Sequence, residues 1–220
     1  MKIPKNQFKT FIFDLDGVIV ETSKFHFLAW QQICNSMGYH LSEKKNEELK
    51  GVSRVKCLEM IMEWSGKKFT AHEFNVVLEE KNNVYKSYIK DINSQDLNDG
   101  IFDFITQADK NGYKIALYSA SRNAKKILCQ LGIIEFFSAL IDGNNVVHPK
   151  PHPEGFEQAA NLTQTDPKQC VVFEDSMKGI RGAKAVNMFS VGIGSKAVLK
   201  DADLVYEKFS DININDFINV

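Results

Sequence analysis

No segment of this 220-residue chain is both long and apolar enough to cross a membrane, and none behind Met1-Lys2-Ile3-Pro4-Lys5-Asn6 has the length of a signal peptide. No block of lysine and arginine occurs. With 27 basic residues against 28 acidic ones, the chain lacks the basic footprint of a nucleic-acid binder. Cysteine is scarce: Cys34, Cys57, Cys129 and Cys170 form no CxxC pair, which argues against a metal finger or a disulfide framework. Three of the four lie in apolar-periodic segments and read as reduced core thiols. Internal repeats and low-complexity tracts are absent as well. What is present is a 44% hydrophobic composition, the signature of a packed globular protein, in a length that suits one large domain or a core with a modest insertion. The expectation is a cytoplasmic monomer that acts on a small molecule, with no nucleic-acid or membrane partner.

Short apolar runs at residues 10–13, 114–118, 170–173 and 189–193, and a weaker one at 204–206, read as strands buried on both faces. Between the later runs lie helix-like patterns at 101–110, 123–131, 154–162 and 178–186. This alternation predicts a doubly wound α/β parallel sheet. Residues 20–95 break it with four consecutive amphipathic helices, at 25–37, 43–49, 55–64 and 71–88. The reading is a core of residues 1–19 and 96–220 with a helical cap of residues 20–95 over the carboxyl edge of the sheet, where such folds bind ligands.

Asp14 and Asp16 follow the first strand, and Gly17 lets the chain turn sharply there. Taken alone, the pair reads equally well as solvated loop carboxylates. Two later features tip the balance: Lys150 within Pro149-Lys150-Pro151-His152-Pro153, and Glu174-Asp175 at the end of another buried strand. Converging strand ends would gather three or four carboxylates and one ammonium at a point, and like charges so close demand a cation. Oxygen ligands favour Mg²⁺, with Asp14, Asp16, Glu174 and Asp175 as the candidate set. Asp14 is then the candidate nucleophile and Asp16 the acid and base. Ser119 is a hydroxyl donor to phosphate, and Lys150 supplies positive charge.

These four motifs, in this order, resemble the haloacid dehalogenase superfamily across essentially the whole chain. That implies a Rossmann-like parallel sheet core with an inserted helical-bundle cap. Within it the sequence is most similar to the β-phosphoglucomutase family, through residues 14–22 with His26, residues 49–54 and residues 119–123. The resemblance implies that His26 assists Asp16, that Arg54 grips the non-reacting phosphate, and that Lys81 touches the sugar. Ser121 and Asn123 match positions for the distal phosphate, and Thr22, Gly51, Val52, Ser53 and Arg122 fall in the same substrate-binding stretches. Glu21 and Arg122 depart from the commoner Asp and Lys but keep the charge. Taken singly, His26, Arg54 and Lys81 read as solvated surface residues, and Phe25, Phe27 and Trp30 as cap core. The implied reaction interconverts β-D-glucose 1-phosphate and D-glucose 6-phosphate through an aspartyl-phosphate and β-glucose 1,6-bisphosphate. The alternative is a Mg²⁺-dependent phosphatase of small sugar phosphates.

Overall fold

The structure, a computed structural model, describes residues 8–218. Residues 1–7 and 219–220, the ends of the expected core, lie outside the described residues. Six parallel strands form one sheet in the order β3-β2-β1-β4-β5-β6. They are β1 (Thr10–Phe13), β2 (Lys114–Tyr118), β3 (Ala139–Ile141), β4 (Cys170–Glu174), β5 (Phe189–Ile193) and β6 (Leu204–Tyr206). Helices α1 (Ser23–Ser36), α2 (Glu43–Glu47), α3 (Arg54–Ser65) and α4 (Ala71–Tyr88) separate β1 from β2. Helices α5 (Ile101–Lys110), α6 (Ala124–Gln130), α7 (Glu154–Leu162) and α8 (Met177–Ala185) flank the sheet. Among the described residues no helix is long and apolar enough to cross a membrane.

The strands read as continuous apolar runs because both faces are covered. Side chains alternate across a strand, so Phe11 and Phe13 join a core with residues of α5 and α6, whereas Ile12 joins another with residues of α7 and α8. The first core is rich in phenylalanine; Phe13 stacks on Phe173 with ring centroids 4.9 Å apart. The inserted helices carry a third core, built around Trp30, Ile33, Leu58 and Ile61. Ser53 caps α3 by accepting from the Lys56 amide at 3.3 Å, and Thr70 and Glu73 form a capping box that starts α4.

Strand β3 is absent from the sequence reading. Three residues are too few to display a period, and its pairing with β2 is a tertiary event. Its effect on the site is indirect: it carries the chain toward the loop that delivers Lys150.

Candidate active site

Register places the reactive groups. Phe13 pairs with Leu117 on one side and with Phe173 on the other, so the residues just past these strand ends meet at the carboxyl edge. Asp14 donates its amide to the Phe173 carbonyl at 2.9 Å. The chain proceeds from β1 toward β2 on one side and holds β4 on the other, which makes this edge a topological switch point.

Lys150 is buried at the centre. Its ammonium donates to Asp14 Oδ1 at 2.6 Å, to the Tyr118 carbonyl at 3.0 Å and to Glu174. The ring of Tyr118 lies 4.6 Å from the same nitrogen. Burial opposes the charge on Lys150, but Asp14 and Glu174 outweigh it and hold the ammonium protonated above the ordinary lysine range. Glu174 also accepts from the Ser176 amide at 2.9 Å and hydroxyl at 2.8 Å, while Ser176 Oγ caps α8 at the Gly179 amide.

Among the described residues, Asp14, Glu174 and Asp175 form a cluster whose ligand atoms lie within 4.8 Å of one another. Burial pushes the Asp14 carboxyl up to about 8, opposed by Lys150 and reinforced by Glu174 and Asp16. Burial, Glu174 and Asp14 likewise push Asp175 well up. One ammonium does not neutralise three carboxylates, two of them buried and Asp175 partly so, and this all-oxygen cluster fits a hard divalent cation. Gly17, at φ +87°, makes room for it: a Cβ there would sit 2.5 Å from Asp175 Oδ2.

The carboxylate of Asp16, expected as a fourth metal ligand, is not part of this cluster. It turns toward the helices instead. Thr22 donates to Asp16 Oδ1, His26 Nε2 lies 3.4 Å from it, and the Tyr85 hydroxyl donates at 3.4 Å. Burial works against its ionisation, yet His26 and the Thr22 hydrogen bond hold the carboxyl below the usual range. Lys81 Nζ lies 2.7 Å from His26 Nδ1. When Lys81 carries its charge it can only donate, so in that state Nδ1 accepts and the ring proton sits on Nε2, facing Asp16. Burial and Lys81 lower the pKa of His26, against the opposing pull of Asp16.

Lys81 is 1% exposed, between the rings of Trp30 at 5.1 Å and Tyr85 at 4.9 Å. Burial lowers its pKa from near 10.5 to about 7. Below about 7 the folded protein holds a buried charge at a cost. Between about 7 and 10.5 it has released a proton that the unfolded chain keeps, so this group makes stability rise with pH across that window. Lys81→Met is therefore expected to raise the melting temperature relative to the parent most at pH 6, with the gain shrinking toward pH 10. A difference that stays flat with pH sinks the assignment.

A cavity of about 400 Å³ opens between the inserted helices and the sheet edge. Asp14, Asp16 and Asp175 line one part of it. His26, Lys81, Gly51, Val52, Ser53 and Arg54 reach it from the helical insertion, and Ser121 and Arg122 from the core. Burial lowers the pKa of Arg54, and the neighbouring Arg122 lowers it further: two cations face one space. Five expected residues stand behind the wall: Thr22, Ser119, Asn123, Lys150 and Glu174, the last held by Lys150 and Ser176. Ser119 Oγ accepts from the Ser121 amide at 3.1 Å. Thr22 holds Asp16, Lys150 holds Asp14, and Asn123 donates to Asn82 Oδ1 at 3.1 Å rather than facing the cavity.

Lys50, Tyr85 and Cys57 are among the residues at the site that the sequence did not single out. Lys50 lines the cavity, and although burial opposes its charge, Asp175 raises its pKa. Tyr85 stacks on His26 with ring centroids 3.9 Å apart, and its position four residues after Lys81 on α4 was a signal for it. Cys57 also lines the cavity; burial pushes its thiol up to about 12. Phe27 and Trp30 belong to the core of the inserted helices as expected, and Trp30 also lines the cavity, whereas Phe25 packs against the core that includes the sheet.

The model of the haloacid dehalogenase-like hydrolase family matches residues 11–193. The β-phosphoglucomutase of Bacillus subtilis is 38% identical over 208 residues, covering 94% of this chain and 92% of that protein. The crystal structure of a β-phosphoglucomutase from Clostridium difficile superposes with a TM-score of 0.90 at 39% identity, covering 94% of this chain and 93% of that one. A phosphorylated carbohydrates phosphatase of Thermotoga maritima is 28% identical, covering 80% of this chain and 81% of that protein. The chain is therefore an enzyme of the haloacid dehalogenase superfamily and belongs to its β-phosphoglucomutase branch.

Proposed function

We propose that the enzyme interconverts β-D-glucose 1-phosphate and D-glucose 6-phosphate through an aspartyl-phosphate and β-glucose 1,6-bisphosphate. The observation that carries this reading is the second anion anchor, Arg54 from the helical insertion and Arg122 from the core, in the same cavity as Asp14. A bisphosphate has one phosphate at Asp14 and needs a grip for the other, whereas hydrolysis of a monophosphate needs no such pair.

Asp14 attacks phosphorus, and Asp16 protonates the leaving sugar oxygen. Asp16 then takes the proton of the next hydroxyl, with His26 orienting it. Lys150 favours the ionised form of Asp14 against burial and aims it, at 2.6 Å. Mg²⁺ held by Asp14, Glu174 and Asp175 would neutralise nucleophile and phosphate together. Residues 20–95 act as a cap on a core of residues 1–19 and 96–220. The cap hinges where the chain crosses twice, near Val20 and Leu97, which are joined by a β-bridge. Closing the cap excludes water from the aspartyl-phosphate. A cytoplasmic monomer suits a phosphorylated sugar substrate.

Phosphorus NMR of the purified protein tests this, with β-glucose 1-phosphate, Mg²⁺ and a trace of β-glucose 1,6-bisphosphate. Glucose 6-phosphate with little free phosphate is expected. Free phosphate without isomerisation makes the enzyme a sugar-phosphate phosphatase, the activity that the Thermotoga relative's name describes.

A further inference from the structure

The segment of residues 48–54, a loop after α2 followed by the first residue of α3, presents Arg54 to the cavity, and it is held from both sides. From the cap, Cys57 Sγ donates to the carbonyls of Leu49 at 3.7 Å and Val52 at 3.6 Å. From the core, Lys178 in the first turn of α8 donates its ammonium to the Glu48 carbonyl. That carbonyl is at the end of α2, where helix carbonyls lack partners and carry partial negative charge. Beside it, Gly51 at φ +67° approaches the core so closely that a Cβ would fall 2.5 Å from Ser176 Oγ and 3.8 Å from Lys178 Cβ. Ser176 in turn donates to Glu174. A continuous set of contacts thus runs from the carboxylate cluster to the loop that carries the second anchor. Lys178 is half-buried, and its charged end reaches the Glu48 carbonyl at a contact that solvent also reaches.

We propose that Lys178 is a positioning residue that latches the loop of residues 48–54 to the core, and that it sets how phosphoryl transfer divides between a sugar hydroxyl and water. The inference rests on the phosphomutase reading above. In the unwanted branch a water oxygen forms a bond to phosphorus and the bond from phosphorus to the Asp14 oxygen breaks. The water proton passes to Asp16, leaving the Asp14 carboxylate and inorganic phosphate. Nothing in that branch needs Arg54 or a closed loop, whereas transfer to sugar needs both. Loosening the latch favours water while leaving Asp14, Asp16 and Lys150 in place.

Lys178→Met keeps the aliphatic stem and removes the donor; Lys178→Arg keeps a donor. Two readouts apply: the ratio of free phosphate to glucose 6-phosphate in the NMR assay, and amide hydrogen exchange of residues 48–54 without substrate. Lys178→Met is expected to raise that ratio about five- to tenfold, the net worth of one ordinary hydrogen bond at a solvent-reached contact. It should also speed exchange in the loop while leaving the strands protected, and Lys178→Arg should restore both. A ratio in Lys178→Met within twofold of the parent's, with loop exchange unchanged, overturns the proposal. If the parent itself yields only free phosphate, the phosphomutase reading fails and the partition claim with it. Loop exchange then still decides whether Lys178 is a latch.

Discussion

Asp14→Asn is expected to reduce turnover on the order of 10⁴-fold or more, the scale seen when a covalent nucleophile is removed, and to do so without unfolding the protein. The amide has the shape of the carboxylate but cannot form an acyl-phosphate. Burial and the neighbouring acids push the Asp14 carboxyl up to about 8, so near pH 7 without metal its ionised form carries a cost in the folded protein. The variant sheds that cost, and Lys150 keeps Glu174 as a partner. Its melting temperature in the absence of metal should therefore equal or exceed that of the parent. Steady-state turnover together with a thermal melt checks both parts. Activity near the parent's level removes Asp14 as nucleophile, while an inactive and unfolded variant leaves the chemistry unread and calls for Asp14→Ala.

Lys150→Met is expected to have the largest effect on stability. The lysine side chain is 1% exposed and is the ammonium that Asp14 and Glu174 share. Removing one member of a buried ionic set costs about 3–5 kcal/mol, because the partners are left buried and unpaired. The sign with pH follows. Burial pushes the Asp14 carboxyl up to about 8, so at pH 5 it is protonated and does not need the ammonium; the deficit relative to the parent should be smallest near pH 5 and grow as pH rises through about 8. Millimolar Mg²⁺ should recover part of it, since a divalent ion in the carboxylate cluster replaces the missing charge. Activity should fall by about 10²–10³-fold even where the fold survives, the scale for loss of one preorganised charge. Denaturant titrations at two pH values, with and without Mg²⁺, measure this. A deficit under 1 kcal/mol, or one that ignores both pH and Mg²⁺, would mean that Lys150 does not neutralise the pair.

Much of the architecture is legible in local pattern. Four of the strands, β1, β2, β4 and β5, announce themselves as apolar runs, because a strand covered on both faces has nowhere to put polar residues; the partly buried edge strand β6 does so more weakly, and the break in strand–helix alternation marks the helical insertion. Asp14, Ser119, Lys150 and the Glu174-Asp175 pair are legible too, since each directly follows a buried run or sits in a proline-stiffened loop. Residues whose partners come from far along the chain are not legible in this way. Lys81 reads as part of a charged helix face, yet in the fold it is buried between Trp30 and Tyr85 and bonded to His26, 55 positions away. Asp16 reads as a metal ligand by proximity to Asp14. Alternation along the chain puts neighbouring acids two residues apart, but Thr22, His26 and Tyr85 decide which way the carboxylate turns.

The sequence by itself determined the fold class, the inserted helices and the acidic and basic groups at the strand ends, because those depend on short-range periodicity and on which residue ends a strand. Tertiary structure alone decided the division of labour among them. It separated the carboxylate cluster from the Asp16–His26 pair, placed Thr22 and Asn123 behind the wall, and laid the Glu48 carbonyl against Lys178, 130 positions away. Charge, burial and hydrogen bonding act over a few ångströms in space, and separation along the chain does not report those distances.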